Sequence, residues 1–296
     1  MSLLGRGATG TVYQLNAFIA VKRARQGEDE QADHANEQKM FQFLEKHRPI
    51  SYLIRCYYQR PSDTFLELAP NGSIAMLLSQ YQEREKRGTP QVLGISQLLH
   101  SQDIHRWMRQ LCHAATALER IGLIHGDIRP GNMLLDVDWN LKLSDLDRGM
   151  KTGQDIAVLT EPYGRLLNAE EDGEGAGTYG TAGARTETFA IGSVYYTLLR
   201  GHEPYETESW GRNHFVTLSE KFQNKEFPPL TDSARDAIIR KCWNGEYRLV
   251  RELSAEFNDD PGHDEPVGED AKWLETRQVE CKRFIQSGLL DTLDRY

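Results

Sequence analysis

The sequence has few cysteines, and their placement excludes two kinds of stabilised scaffold. Metal-binding cysteines usually occur as closely spaced pairs, and disulfide frameworks belong mostly to short secreted domains. The four cysteines of this 296-residue chain are scattered, without such pairing: Cys56, Cys112, Cys242 and Cys281. We therefore expect reduced thiols, no structural zinc site and an intracellular, cytoplasmic protein.

Long apolar runs are also missing. A helix needs about 20 mainly apolar residues to span a bilayer, and no stretch of the chain has that character. The first residues lack the basic and apolar segments of a secretory signal. The sequence therefore predicts neither a membrane-spanning segment nor a membrane partner. Met1 lies only four residues before Gly5, so the first strand should be short, or the sequence is clipped at that end.

Basic residues are outnumbered by acidic ones. The chain has 35 Lys and Arg against 44 Asp and Glu, a formal net charge of −9. Because a nucleic-acid backbone repels such a protein, this balance argues against nucleic acid as the main partner. A basic substrate segment would suit the charge, although an acidic surplus also occurs in proteins where it has no electrostatic role.

The remaining composition is that of a globular protein. Hydrophobic residues make up 39% of the chain and charged residues 27%. A chain of this length can bury one large core or build two unequal lobes.

A glycine-rich segment is the first motif that carries chemistry. Residues 4–12 read Leu-Gly-Arg-Gly-Ala-Thr-Gly-Thr-Val, and Ile-Ala-Val-Lys follows, ending at Lys22. This pattern predicts two strands joined by a glycine loop that closes over nucleotide phosphates, with Lys22 as a point charge for them. A dinucleotide-binding sheet also uses a glycine loop, but it needs a helix directly after the glycines, and here a strand follows.

A second constellation lies about a hundred residues further on. Residues 125–132 read His-Gly-Asp-Ile-Arg-Pro-Gly-Asn, and residues 142–147 read Lys-Leu-Ser-Asp-Leu-Asp. In order and spacing, the three motifs resemble those of eukaryotic-type protein kinases over about residues 1–257. Arg129 and Pro130 resemble the serine/threonine branch of that family more than the tyrosine branch.

The resemblance implies a role for each residue of the second constellation. Asp127 would accept or orient the proton of the attacking hydroxyl, and Arg129 would neutralise charge on the γ-phosphate. Asn132 and Asp145 would hold the Mg²⁺ ions that bridge the phosphates.

Lys22 then needs a carboxylate partner, and residues 28–47 form the helix that should carry it. Glu37, Phe41 and Leu44 fall at i, i+4 and i+7, so Glu37 shares a stripe with large apolar residues that must face the sheet. Glu28 and Glu30 lie too near the helix start. We therefore expect Glu37 to pair with Lys22.

The resemblance also implies an ATP pocket. Leu66 would close its back, and the backbone of Glu67 and Ala69 would pair with the adenine edge. The other expected contacts are Leu4, Gly5, Arg6, Gly7, Ala8 and Gly10 on the loop, and Val12, Ala20 and Leu134 around the ring.

The expected fold class is α+β, with a bilobal, protein-kinase-like architecture. A small β-rich lobe should cover residues 1–66, a hinge 67–72 and a larger helical lobe 73–257. Helices are predicted at 74–87, 103–121, 186–200, 215–222 and 234–243. An acidic linker and a helix should follow over 258–296, and that last helix could dock on the domain or contact a partner.

Three departures from the family pattern lie in and after the catalytic loop. Gly126 replaces the usual arginine, Asp147 replaces the usual glycine, and no Ala-Pro-Glu follows. We expect the acidic, glycine-rich segment 170–184 to be mobile. Glu161 could replace the missing glutamate as the partner of Arg248, and Glu187 could hold the catalytic loop.

These departures leave three functions open. The first is an active serine/threonine-type protein kinase that uses ATP and Mg²⁺ on an unidentified protein substrate. The second is a pseudokinase, an ATP-binding scaffold without transfer. The third is a kinase-fold enzyme that phosphorylates a small molecule.

Overall fold

A computed structural model describes residues 1–7, 9–47, 49–85, 91–258 and 271–290. One predicted nucleotide contact, Ala8, lies outside the described residues, as does the acidic linker from residue 259 to residue 270.

The first part of the chain forms a five-stranded antiparallel sheet with one helix inserted. The strand order is β1-β2-β3-β5-β4. Its elements are β1 (Ser2–Arg6), β2 (Gly10–Gln14), β3 (Ile19–Ala24), α1 (Glu28–Leu44), β4 (Cys56–Arg60) and β5 (Asp63–Glu67).

The rest of the described chain is mainly helical. Its helices are α2 (Ile74–Ser79), α3 (Ser101–Arg120), α4 (Ala184–Arg200), α5 (His214–Gln223), α6 (Ala234–Asn244), α7 (Val250–Ala255) and α8 (Ala271–Gln286). Short strands complete it: β6 (Gln82–Arg84), β7 (Val92–Ile95), β8 (Leu123–Ile124), β9 (Met133–Leu135), β10 (Leu141–Leu143) and β11 (Met150–Lys151). The predicted α+β, bilobal fold class is confirmed.

The core of the helical lobe forms around α3 and α4. Apolar residues of α3 recur at helical spacing, so that Ile104, Trp107, Leu111 and Leu118 are all buried. Helix α4 is buried over most of its length, between α3 and α6, and ends at Gly201 in the left-handed conformation. The predicted helices at 103–121, 186–200, 215–222 and 234–243 are thus present.

The predicted helix over 74–87 is wrong beyond its first half. Helix α2 ends at Ser79, and β6 then pairs with β7 as a hairpin, whose connection at residues 86–90 lies outside the described residues. Charged residues here favour a helix locally, but tertiary bonds override that preference. The Gln82 amide donates to Gly201 O at 2.6 Å, and Arg84 pairs with Glu206 at 2.6 Å.

The C-terminal helix docks on the sheet, which was one of its two expected outcomes. Because side chains of a strand alternate between its faces, β3 places Ile19 and Val21 on one face and Ala20 and Lys22 on the other. Ile19 and Val21 pack with Cys281 of α8 in one buried cluster, whereas Ala20 and Lys22 line the cleft described below.

Candidate active site

A cleft of about 750 Å³ lies between the sheet and the helical lobe. Its walls include every predicted nucleotide contact among the described residues: Leu4, Gly5, Arg6, Gly7, Gly10, Val12, Ala20, Lys22, Leu66, Glu67, Ala69 and Leu134. Thr9, Ile54, Leu68, Asn71, Met76 and Ser144 also line it and were not predicted. Thr9 and Ser144 lie within the motifs at residues 4–12 and 142–147, and Leu68 and Asn71 lie in the predicted hinge, but no role was predicted for any of them; no local motif marks Ile54 or Met76.

The glycine loop closes tightly over the end of β3. The Gly7 N–H donates to Gly10 O at 2.8 Å, which makes a turn at the loop tip. A Cβ on Gly10 would lie 2.6 Å from Arg23 O, so a larger residue there would push the loop away from β3.

Part of the hinge backbone is already hydrogen-bonded within the protein. The Glu67 N–H donates to Arg55 O at 2.9 Å, and its carboxylate pairs with Lys142 at 2.9 Å. This N–H therefore cannot donate to a nucleotide base without breaking a bond of the sheet edge, so an adenine contact from Glu67 would have to use its carbonyl group.

Lys22 lies between two carboxylates at the floor of the cleft. Its Nζ is 3.1 Å from Glu37 Oε2 and 2.5 Å from Asp145 Oδ1. Burial by itself lowers the pKa of Lys22, but the charges of Glu37 and Asp145 outweigh it and raise that pKa above its ordinary value. The Lys22–Glu37 pair predicted from the helix stripe is thus present, and Lys22 is held as a cation.

Helix α1 is also tied to the segment that follows Asp145. The side-chain amide of Asn36 donates to Asp147 O at 2.7 Å and to Gly149 O at 3.0 Å. Asn36 therefore links the helix carrying Glu37 to the segment carrying Asp145. An isolated asparagine in a helix has no sequence signature, and its role was not predicted.

The catalytic-loop carboxylate is held by two neighbours. Arg129 Nε donates to Asp127 Oδ2 at 2.9 Å, and Asn132 Nδ2 donates to the same oxygen at 2.7 Å. The Asn132 amide nitrogen also bonds to Asp127 O at 2.8 Å, which leaves its Oδ1 for other partners. The geometry brings Asp127, Arg129 and Asn132 together, as the motif predicts.

Gly126 has a steric reason to be glycine. Its φ is +79°, in the left-handed region, and a Cβ there would lie 2.5 Å from Arg148 O. The arginine that the family pattern has at this position does not fit this backbone. The loop is held instead by Glu187, whose carboxylate accepts from the N–H groups of His125 and Gly126 at 2.9 Å and 3.1 Å.

Asp145 and Asp147 are unusual in conformation and environment. Asp145 has a φ of +71°, which is a strained conformation for a residue with a side chain. Burial, and then the charge of Asp145, raise the pKa of Asp147 to about 6. The carboxylate in place of the family glycine is thus accommodated in a buried position beside the cleft.

The proposed pairing of Glu161 with Arg248 is wrong. Glu161 Oε1 accepts from Tyr179 Oη and Ser219 Oγ, both at 3.2 Å, and makes no ion pair with Arg248 in the described chain. In the same part of the chain, the buried guanidinium of Arg165 donates two hydrogen bonds to the Glu171 carboxylate, at 2.5 and 2.6 Å. This pair anchors the start of the segment that was expected to be mobile.

The donor atoms at the cleft suit a hard cation. Mg²⁺ prefers oxygen ligands and is commonly held by one or two carboxylates together with substrate phosphates. Asp145 and Asn132 offer a carboxylate and an amide oxygen. Among the described residues, no group of three or more His, Cys, Asp or Glu side chains is placed so that it could hold a metal ion.

Sequence comparison agrees with this geometry. A family model described as protein kinase domain matches residues 1–248. The chain belongs to the protein kinase family. Within this kinase chain, no helix among the described residues is both long and apolar enough to cross a bilayer.

The kinase is similar at modest identity to larger proteins. Myotonin-protein kinase of Homo sapiens is 25% identical over 209 residues, 66% of this chain and 30% of that protein. Serine/threonine-protein kinase MRCK alpha of Mus musculus is 24% identical over 202 residues, covering 64% and 11%. MRCK gamma of Homo sapiens is 27% identical over 167 residues, covering 52% and 10%. The chain thus spans less than a third of the length of each of these relatives.

Proposed function

We propose that this kinase transfers the γ-phosphate of Mg-ATP to serine and threonine hydroxyls of protein substrates. The observation that carries the proposal is the contact of Lys22 with both Glu37 and Asp145 at the floor of the cleft. A scaffold that only binds partners has no chemical need for this buried arrangement.

Phosphoryl transfer depends mainly on positioning and on neutralising charge. The glycine loop would contact the phosphates through its backbone N–H groups, and Lys22 would neutralise their charge. Arg129 already touches Asp127, so its guanidinium can meet the γ-phosphate on the side from which the acceptor approaches. Asp127 would orient the acceptor hydroxyl and take its proton.

Asn132 and Asp145 would hold Mg²⁺, which supplies charge neutralisation and orientation of the phosphates when bound. Ala20, Val12 and Leu134 would enclose the adenine ring, with Leu66 behind it. These residues line one continuous cleft, which supports a nucleotide rather than a small anion as the ligand.

Two observations support serine and threonine as acceptors. Arg129-Pro130 resembles the serine/threonine branch in the catalytic loop, and the relatives named above include serine/threonine-protein kinases. The free thiols support an intracellular, cytoplasmic location, because Cys112, Cys242 and Cys281 are buried without disulfide partners. We also propose that the kinase domain extends over residues 1–257.

The test is transfer of radiolabel from [γ-³²P]ATP with Mg²⁺ to the protein itself and to a mixture of basic proteins. We expect label on serine and threonine in the wild type and a loss of at least a hundredfold in Asp127→Asn, a near-isosteric change. Val137→Ala, at a residue exposed in the turn between β9 and β10, is the matched control and should keep full activity.

Two outcomes would contradict the proposal. ATP-induced thermal stabilisation without any transfer would favour a pseudokinase scaffold. Transfer to a small metabolite but to no protein would favour a small-molecule kinase.

A further inference from the structure

Helix α5 carries an exposed apolar patch on the surface of the helical lobe. Phe215 is 75% exposed and its neighbour Val216 is 60% exposed, and no large apolar side chain of the described residues is more exposed than Phe215. Single exposed apolar residues are common on protein surfaces, whereas contiguous ones mark surfaces that contact another molecule. Two adjacent side chains exposed to this degree on one helix therefore indicate that another surface covers them.

The helix is held firmly by the rest of the lobe, so the patch is formed before any partner binds. On its inner face, Leu218 and Phe222 are buried in the core of the helical lobe. Ser219 Oγ donates to Glu161 Oε1 at 3.2 Å, which ties α5 to the segment that follows Asp145. A surface that is already ordered loses little conformational entropy on binding, so even a small patch of this kind can associate.

Two opposite charges flank Val216 at equal distances along the chain. Arg212 lies four residues before it, in the short turn that leads into α5, and Glu220 lies four residues after it, within the helix. A helix rises 1.5 Å per residue, so each charge lies roughly 6 Å from Val216 along the axis, and residues four apart share one side of the helix. Both charged side chains are exposed, and neither makes an ion pair within the described ranges.

We propose that α5 is the contact between two copies of this chain in a weak, twofold-symmetric dimer. When two copies of the helix pair antiparallel about Val216, Arg212 of one copy lies opposite Glu220 of the partner subunit, and the reverse pair forms at the other end. The charges of one copy thus complement the same charges of the second, with Val216 at the axis and Phe215 beside it. This self-complementary order favours a second copy over an unrelated partner. The dimer goes beyond the proposed phosphate transfer.

The size of the patch limits the affinity of the dimer. Stable interfaces bury at least about 1,200 Å² in total, and two apolar side chains with two ion pairs make a smaller contact. We therefore expect a reversible dimer with a dissociation constant of about 10 to 100 µM. The net charge of −9 repels copies at long range, but this repulsion is screened beyond about 8 Å at physiological ionic strength. The contacts at α5 act at shorter range than that.

The test is sedimentation velocity of the full chain over the micromolar concentration range at physiological ionic strength. Val216→Asp places a charge at the axis, so dimerisation should weaken at least about tenfold. Val279→Asp, at an exposed valine of α8, is the matched control and should dimerise as the wild type does. Thermal unfolding checks that both variants fold, because both changes affect exposed side chains.

A charge exchange tests the antiparallel arrangement. Arg212→Glu and Glu220→Arg each place like charges opposite one another at both ends of the helix pair, so each variant alone should dimerise about tenfold more weakly. A mixture of the two variants restores opposite charges at both ends and should form heterodimers with the affinity of the wild type. The double variant Arg212→Glu/Glu220→Arg keeps the net charge of the wild type and should also dimerise normally.

Three outcomes would overturn the proposal. A wild type that stays monomeric throughout the concentration range would leave the patch to a protein of different sequence. Dimerisation that Val216→Asp does not weaken would place the interface elsewhere on the chain. Weakening in both single charge variants without recovery in the mixture or in the double variant would exclude the antiparallel pairing of α5.

Discussion

Lys22 Nζ lies 2.5 Å from Asp145 Oδ1, although 123 residues separate the two along the chain. This contact joins the sheet to the catalytic segment of the helical lobe. Glu37 completes it from α1, at 3.1 Å from the same nitrogen. The three residues belong to β3, to α1 and to the segment after β10. These contacts therefore form only when the two lobes are correctly placed relative to each other.

Removal of the Lys22 charge should destabilise the fold as well as abolish transfer. Lys22→Met leaves Glu37, whose side chain is 1% exposed, without its cation. Breaking a buried ion pair costs about 3 kcal/mol when the remaining charge stays unpaired, and less when that group takes up a proton. Burial raises the pKa of Glu37 to about 7 even beside Lys22, so the loss should be largest well above pH 7. We expect such a loss in the free energy of unfolding, measured by urea denaturation.

A double variant tests the cause of that loss. In Lys22→Met/Glu37→Gln the unpaired charge is gone, so part of the stability should return while transfer stays abolished. If the double variant is no more stable than Lys22→Met, burial of the Glu37 charge is not the cause.

Gly126 and Gly122 offer a matched pair for the steric argument. Both have left-handed backbones, with φ of +79° and +74°, but only Gly126 has an atom within contact distance of an added Cβ. Gly122→Ala should cost roughly 1 kcal/mol for the left-handed conformation alone. Gly126→Ala should cost clearly more, because the Cβ would clash with Arg148 O. Equal losses in thermal stability would show that the loop adjusts without strain.

Docking of α8 should contribute to the stability of the sheet. Cys281 is fully buried against it, whereas Val279 on the same helix is 47% exposed. Cys281→Asp places a charge in an apolar cluster and should cost roughly 2 to 4 kcal/mol. Val279→Asp should change stability by less than about 0.5 kcal/mol. Similar unfolding midpoints for the two variants would contradict this packing.

Glu171 predicts a pH dependence of stability. Burial raises its pKa, but hydrogen bonds from Arg165 and Lys225 outweigh burial and lower it from 4.5 to about 2. A carboxylate with a lowered pKa stabilises the fold above its unfolded pKa and loses that contribution as the pH falls. Glu171→Gln should therefore be less stable than the wild type at pH 7, and the difference should shrink between about pH 4.5 and pH 2. A difference that is constant over this range would exclude the ion pair as its source.

Short motifs made much of the active site predictable. Lys22, Asp127, Asn132 and Asp145 each occupy a position defined by local sequence, and helical spacing was sufficient to select Glu37. Protein kinases carry these residue types in this order and spacing, so the resemblance is visible without the fold. The helices around α3 and α4 were equally predictable, because their apolar residues recur with the helical period.

Predictions that depended on distant contacts were less successful. The segment after Ser79 forms a strand because Gln82 and Arg84 bond to the loop after α4, which no local pattern shows. Glu161 was proposed as the partner of Arg248 in place of the glutamate that the family pattern has, but its carboxylate accepts hydrogen bonds from Tyr179 and Ser219 instead.

The sequence by itself determined the family, the residues proposed for catalysis and the alternation of β3 that directs Lys22 into the cleft. Only the tertiary structure decided that Asn36 ties α1 to the segment after Asp145 and that α8 packs against the sheet. The reason is physical. The residues of a motif are fixed by the reaction that they serve, so their types can be read locally, whereas packing and hydrogen bonding between elements depend on distances between residues far apart in the chain.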